Sequence, residues 1–443
     1  MFSNKDLRKL IIPLVIEQLL AVTIGMADTV MVSSCGEAAV SGISLVDSIN
    51  FLLITLFSSL ATGGAVIASQ YIGRGDHKSA SLAAKQLFYA SLALSAVLGV
   101  IAVFFRKPVL NMVFGSIEAD VMAHAQIYFL LSAISYPFLA VYNAGAALFR
   151  SMGDSRTTML ISILMNTINI VGNAILIYGF QMAAAGAATA SLVSRAVGAI
   201  IITVLLLNPR RIIFYDKLHK PEIHLSMLKS ILQIGVPNGL ENSIFQIGKI
   251  LVASIVSGFG TISITANAVA GNLASLQVIP GMALGMAMIT VVGQCIGAKD
   301  YEAVKKYTKK LMLITYGVVW AMTLLMLLFS KQILSFYSLS EETTTMTMEV
   351  FIVHGICAVI VWPLAFALPN ALRAANDVRF TMIVSLLSMW IFRIGFNYIL
   401  AIYFNMGILG TWIAMCIDWF CRGACFVIRF ARGKWKNISF IDN

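Results

Sequence analysis

Long runs of apolar residues, separated by short polar segments, organise this chain from end to end. The runs fall near 10–34, 48–72, 86–105, 121–149, 157–179, 183–207, 230–257, 267–296, 311–329, 349–372, 380–404 and 408–430. A helix needs about 20 apolar residues to cross the hydrocarbon of a bilayer, and each run is close to that length or beyond it. None shows the roughly ten-residue alternation of an outer-membrane barrel strand. Only helices and closed barrels satisfy every backbone polar group in lipid. The pattern therefore predicts an all-α integral membrane protein of twelve transmembrane helices.

Composition closes off the soluble alternatives. Of 443 residues, 59% are hydrophobic and 12% charged, against about 45–50% and about 25% in a soluble domain. The charge is +11, a balance that would suggest nucleic acid in a soluble protein, but its placement points elsewhere. The N-terminus, the linker near residue 210, the tail and alternate loops carry 24 of the 31 Lys and Arg, whereas the opposite loops hold only Arg106, Lys107 and Lys331. Short cytoplasmic loops are the ones enriched in Lys and Arg. Both termini are thus expected in the cytoplasm, in an inner (cytoplasmic) membrane, with the basic excess facing anionic lipid heads rather than nucleic acid. Met1 to Leu10 lacks the pattern of a removable signal peptide. Six scattered cysteines show no metal or disulfide spacing and read as packing residues.

One shift of 224 residues aligns the two halves. It carries Pro13 and Glu17 onto Pro237 and Glu241, the segment QYIGRGD (70–76) onto QCIGAKD (294–300), Asn173 onto Asn397, Gly186 onto Gly410 and Ala190 onto Ala414. A shift of 223 pairs Arg150, Asp154 and Arg156 with Arg373, Asp377 and Arg379. Six spans per half is an even number, so both halves start on the same side and the repeat is parallel. The expected organisation is an N-terminal six-helix lobe (1–207), a cytoplasmic linker (208–226) and a C-terminal six-helix lobe (227–443). Two such pseudo-symmetric bundles have their natural cavity at a shared interface, the architecture of an alternating-access carrier.

These features together resemble the multidrug and toxic compound extrusion (MATE) transporters over nearly the whole chain. The resemblance rests on the six-plus-six layout, the QYIGRGD and QCIGAKD segments, Pro13 followed by Asp28 in IGMADTVMV, LFRSMGD at 148–154, and AAAGAATAS at 183–191. It implies a cation or proton coupling site in the N-terminal lobe made of Asp28, Asn169, Asn173 and Ser191. Many members carry a second carboxylate where this chain has Asn173, so H⁺ and Na⁺ both stay open as the coupling ion. Some members place a glutamate on the seventh helix where Phe245 stands here, with Glu241 one turn earlier.

The residues support parts of this reading independently. An aspartate within a span costs about 2.5–3.5 kcal/mol at a helix centre, so Asp28 needs a partner, a cavity or a proton. Asn169 and Asn173, at i and i+4, put two amides on one helix face, and hard cations prefer such oxygens. A structural hydrogen-bond network is the plain alternative. Glu17 and Glu241 each follow a proline by four residues, where they either close bonds at a proline bend or gate access. Lys249 and Arg393 lie in spans of the second half, and Arg393 falls on Asn169 by the 224 shift. Near Glu241 they would make a salt-bridged lobe rather than a second metal site. Asp418 and Arg422 read as a structural i, i+4 pair, and His124 and His354 as isolated, satisfied histidines.

Met26, Tyr136, Tyr142, Asn143, Phe245, Gln246, Met282, Met286 and Trp362 are candidates to line a central substrate cavity, because methionine and aromatic side chains make an adaptable apolar wall. Packing and lipid contact account for most of the 22 Met and 26 Phe. No phosphate-binding loop, nucleophile elbow or HExxH motif occurs, so an ion gradient, not ATP or a resident cofactor, is the expected energy source. The sequence points to a non-enzymatic antiporter that exports amphipathic, often cationic organic compounds in exchange for H⁺ or Na⁺. A flippase for a lipid-linked oligosaccharide is the nearest rival, kept alive by Lys249 and Arg393. A lipid-modifying enzyme is the more distant one. A monomer suffices for either transport role.

Overall fold

The structure, a computed structural model, describes residues 2–115, 118–216, 218, 220, 222–337 and 339–440, leaving out the side chains of 24 and 26–29. Twelve membrane-length helices account for nearly all of it: α1 (Asn4–Ser33), α2 (Glu37–Arg74), α3 (His77–Phe114), α4 (Ala119–Ser151), α5 (Ser155–Gly179), α6 (Ala183–Leu206), α7 (Leu225–Ser257), α8 (Thr261–Gly297), α9 (Tyr301–Leu328), α10 (Glu341–Ile360), α11 (Val378–Tyr403) and α12 (Gly407–Ala431). No strand occurs among the described residues.

Several helices begin well before the apolar runs that announced them. The run marks the part facing hydrocarbon, whereas the helix end is set by a cap. Asp76 Oδ1 accepts the N–H of Ser79 at 3.0 Å to start α3, and Asp300, its repeat mate, accepts that of Ala303 at 2.9 Å to start α9. Asp154 does the same for Thr157 in α5 at 3.2 Å. The run near 349–372 is interrupted. After α10 the chain passes through a π-helical segment, Pro363–Ala367, into a short helix, Leu368–Ala374. Pro363 cannot donate the hydrogen bond a regular helix needs there.

The repeat seen in the sequence is written in the backbone too. α5 ends in a π-helical segment, Ala174–Gly179, and α11 ends in one spanning Tyr398–Tyr403, each bound shifted by the same 224 residues. The corners that follow are equivalent: Met182 N–H donates to Leu176 C=O at 2.9 Å, and Met406 N–H to Leu400 C=O at 3.1 Å. Gln181 and Asn405 take left-handed φ values of 54° and 53° in these corners. Asn tolerates that region better than most residues do. Gly186 and Gly410 then bring α6 and α12 against the π turns; at Gly410 an added Cβ would lie 2.8 Å from the backbone of Leu400 and Ala401.

The chain divides into two compact units, Met1–Gly239 and Leu240–Asn443. The first part of α7 packs within the N-terminal unit, where Gly63 lets α2 approach the backbone of Ile231 and Gly235. The segment after α6 is also held there. Arg211 pairs with Asp154 at 3.2 Å, Gln86 donates to the Glu222 carbonyl at 2.6 Å and accepts the His224 N–H at 3.0 Å, and Tyr89 donates to the Leu218 carbonyl at 2.9 Å. In the N-terminal unit Phe57, Phe129 and Tyr136 fill the core between α2, α3 and α4. In the C-terminal unit Trp362, Trp419 and Val319 form one core cluster, and Phe351 and Leu273 anchor another.

Candidate functional site

Four constellations of polar side chains inside the helices bear on the site. The first joins α5 and α6. Asn169 Nδ2 donates to Ser191 Oγ at 3.0 Å, and Asn173 Nδ2 donates to Asn169 Oδ1 at 3.4 Å. Both amides are buried, Asn173 almost completely. Three of the four residues implied for coupling are therefore brought together, and they present amide and hydroxyl oxygens of the kind hard cations take. Asp28 lies in the helical backbone of α1, which packs along α5 and also touches α6. Its side chain and that of Met26 are outside the described residues.

A second constellation, not foreseen from the sequence, joins α2, α4 and α6. Asp47 Oδ1 accepts from Tyr128 Oη at 3.1 Å and from Asn50 Nδ2 at 3.2 Å, while Tyr136 Oη donates to Asn50 Oδ1 at 2.7 Å. Arg195 reaches Ser135 Oγ at 2.7 Å on the same side of α4. Asp47 lies just outside the apolar run that begins at 48, so only the early start of α2 at Glu37 reveals it as a helix-face residue. Tyr136 is fully buried in this network.

The third constellation occurs twice. Glu17 receives Arg150 Nη1 at 3.3 Å on one oxygen and Thr158 Oγ1 at 2.8 Å on the other. Glu241 receives Arg373 Nη2 at 2.7 Å, and Arg373 also donates to Asn370 Oδ1 at 2.9 Å. Each pair ties the proline-bearing helix of its sequence repeat, α1 with Pro13 or α7 with Pro237, to the end of the fourth spanning segment of that repeat. The sequence put Lys249 and Arg393 beside Glu241. The structure does not, because Glu241 and Lys249 are eight residues apart on one helix, about 12 Å along its axis, and Arg373 takes the carboxylate instead.

Lys249 and Arg393 belong to the fourth constellation, in the C-terminal unit. The Phe245 ring centroid lies 5.6 Å from Lys249 Nζ, 5.3 Å from Arg393 Cζ and 5.3 Å from Arg422 Cζ. Asp418, wholly buried, is bonded by Arg422 Nη2 at 3.1 Å and by Ser388 Oγ at 2.5 Å; Arg393 Nη1 stands 3.8 Å from its other oxygen. Phe366 packs on Arg422 at 5.2 Å and stacks on Trp362 at 5.4 Å. His354 lies behind, with Nδ1 2.8 Å from Gln277 Oε1 and its ring against Trp412 and Trp419. Of the remaining cavity candidates, Tyr142 and Trp362 are buried, Asn143, Gln246 and Met286 half-buried, and Met282 exposed.

Comparison with known proteins adds to this geometry. A family model described as MatE matches residues 13–175 and again 237–399, two copies at the 224-residue offset. The chain is 26% identical to an uncharacterized transporter, YisQ, of Bacillus subtilis over 429 residues, 96% of this chain and 93% of that one. It is 26% identical to a probable multidrug resistance protein NorM of Thermotoga maritima (98% and 93% covered) and 29% identical to one of Bacillus cereus (95% and 93%). Among solved structures it superposes on a MATE protein in complex with MaD5 with a TM-score of 0.90 at 20% identity (98% and 97% covered). An outward-facing multidrug resistance MATE transporter gives a TM-score of 0.89 at 20% identity, with the same coverage.

Proposed function

Because this chain belongs to the MatE family of membrane transporters, we propose that it is a secondary active antiporter of the cytoplasmic membrane, exporting amphipathic, often cationic organic compounds in exchange for H⁺ or Na⁺. The observation that carries the reading is the Asn169–Ser191–Asn173 cluster on α5 and α6, beside the helix that bears Asp28. It supplies neutral oxygens, Asp28 supplies the one negative charge, and binding of a cation or proton removes that charge. Its counterpart in the second half holds Arg393 in place of Asn169, beside a buried Asn397 that accepts from Thr411 Oγ1 at 2.8 Å.

Energy then comes from the ion. One charge moving down 100 mV releases about 2.3 kcal/mol, enough for roughly a 50-fold gradient of a neutral substrate at about 1.4 kcal/mol per factor of ten; a monovalent cation leaving for one entering ion moves no net charge and draws on the ion's concentration gradient instead. When the ion leaves, Asp28 regains its charge, and α1, which carries Pro13, has a reason to adopt a second position: a bare carboxylate in the span demands a new partner or water.

The test is efflux of a fluorescent lipophilic cation from proteoliposomes under separately imposed proton and sodium gradients. Wild type should respond to one gradient, which names the ion, and Asp28→Asn should lose at least 90% of the driven flux. Equal gradient-driven efflux in the variant overturns the assignment.

A further inference from the structure

We propose that Lys249, Arg393 and Arg422 form a binding site in the C-terminal unit for the phosphate or carboxylate group of an amphipathic molecule. Three cations gather around Phe245, and Asp418 is the one carboxylate among them. Asp418 is already engaged by Arg422 and Ser388, and no carboxylate lies within 4.0 Å of Lys249 among the described residues. Arg393 and Arg422 are 8% and 3% exposed, yet Arg393 Nη1 and Arg422 Nε reach no acceptor.

Two local features fall short of explaining this arrangement. A cation over an aromatic face gains about 0.5–2 kcal/mol, whereas an uncompensated buried charge costs several kcal/mol. The ring therefore orders the cations without neutralising them. Nor does the fold require them. The 224-residue shift carries Phe245, Lys249, Arg393, Asp418 and Arg422 back onto Ala21, Gly25, Asn169, Ser194 and Gly198, and the N-terminal unit builds the same closing π turn and corner with those neutral residues, while the C-terminal unit alone among the described residues adds a π segment, Met389–Gly395, around Arg393.

What remains is a guest that brings negative charge. Guanidinium groups match phosphate and carboxylate oxygens in forked geometry, and an ammonium adds a point charge. The cluster opens on one side, since Lys249 is exposed and Phe245 half-buried. Its three cations stand on α7, α11 and α12, within the spanning segments. An anion reaching that depth is best carried by an apolar body, which favours an acidic amphiphile over a free inorganic ion. The site stands on geometry within the C-terminal unit; its place in transport rests on the antiporter reading above.

The experiment is a titration of dodecyl phosphate into the full-length protein in phosphatidylcholine nanodiscs, followed by intrinsic tryptophan emission with empty discs subtracted and no ion gradient present. Wild type should bind saturably, and Lys249→Gln and Arg393→Gln should each bind at least ten-fold more weakly, while dodecyltrimethylammonium binds all three alike. Lys249 is exposed, so Lys249→Gln decides the matter alone if Arg393→Gln does not fold. Competition by phosphatidylglycerol added to the discs assigns the site to a lipid headgroup, and competition by inorganic phosphate assigns it to a free anion. Absence of saturable binding, equal affinities in wild type and Lys249→Gln, or preference for the ammonium compound overturns the proposal. A protein that exports cations but fails this titration loses only the anion site; one that binds dodecyl phosphate but shows no driven efflux loses only the antiporter reading.

Discussion

The Glu17–Arg150 pair should behave as a coupled latch, and a double-mutant cycle measures the coupling. Arg150 Nη1 is 3.3 Å from Glu17, with the two side chains 18% and 9% exposed. At that separation and an effective dielectric near 20, attraction is about 5 kcal/mol, most of it offset by the desolvation of both groups. Removing one partner takes away the other's opposing charge, so Glu17→Gln and Arg150→Met should each cost about 3 kcal/mol, the low end for a buried pair because both sites keep some access to solvent and Glu17 keeps its bond from Thr158. The double variant strands nothing and should cost far less than the two losses added together, leaving an interaction term of about 2 kcal/mol. Equilibrium unfolding in mixed micelles titrated with dodecyl sulfate reads this as a shift in the folded-to-unfolded ratio, about 140-fold for each single variant at 1.4 kcal/mol per factor of ten. The Glu241–Arg373 pair is shorter, at 2.7 Å, and its side chains are 7% and 12% exposed, so its interaction term should be at least as large. Single losses that add to within about 0.5 kcal/mol in the double variant would show that the groups do not interact.

Two further outcomes follow from the backbone. Gly410→Ala should lower the thermal unfolding temperature more than Gly186→Ala, because the new Cβ meets Leu400 and Ala401 backbone at 2.8 Å in the first case but Leu176 at 3.1 Å in the second; equal effects would refute the packing argument. Asp76→Ala should destabilise by about 1 kcal/mol through loss of the α3 cap. The Ser79 side chain and then its backbone N–H hold the Asp76 carboxyl below its ordinary 3.8. A depressed carboxylate stabilises the fold above its unfolded-state value and loses that contribution as pH falls through the folded-state value. The difference between wild type and Asp76→Ala should therefore be constant near neutrality and shrink below about pH 4; a difference that persists into stronger acid would refute the cap's ionised role.

Much of the fold was legible because lipid enforces it. The count of spans follows from run length alone, and the 224-residue repeat marks Gly186 and Gly410 as equivalent, although the π turns they pack against are not written in the residue pattern. Helix ends were not legible from hydropathy, since caps such as Asp76 and Asp154 lie outside the apolar runs and set the start by hydrogen bonding. Partners were harder still. Glu241 had two cations on offer by sequence proximity, but helix rise carries Lys249 about 12 Å away, and the true partner, Arg373, lies on another helix. Asp47 was hidden for a related reason: it stands at the edge of its run, and although Asn50 is on its own helix, it acquires Tyr128 only when α2 packs on α4. The repeat held a usable signal, because Glu17 with Arg150 and Glu241 with Arg373 recur together at shifts of 224 and 223.

What the repeat keeps and what it discards separates scaffold from chemistry. Both halves retain the capping aspartates Asp76 and Asp300, the latches Glu17–Arg150 and Glu241–Arg373, and the glycine contacts Gly186 and Gly410. These features set helix ends, helix bends and close approach, and a duplicated bundle needs them in each copy. The mid-span polar positions diverge instead. Asn169 becomes Arg393, Gly25 becomes Lys249 and Gly198 becomes Arg422, so cations stand where the first half has an amide and two glycines, and Arg393 lies in a π-helical segment, Met389–Gly395, where α5 is a regular helix. Charged groups at such depth are costly wherever they occur, so a copy that places three cations around one ring, at positions where its twin has Asn169, Gly25 and Gly198, is read under the proposal above as holding them for a guest and not for its own stability. Under the two proposals made above, the units would recognise opposite charge: the N-terminal one a cation or proton at its oxygens, the C-terminal one an acidic group at its guanidinium and ammonium donors.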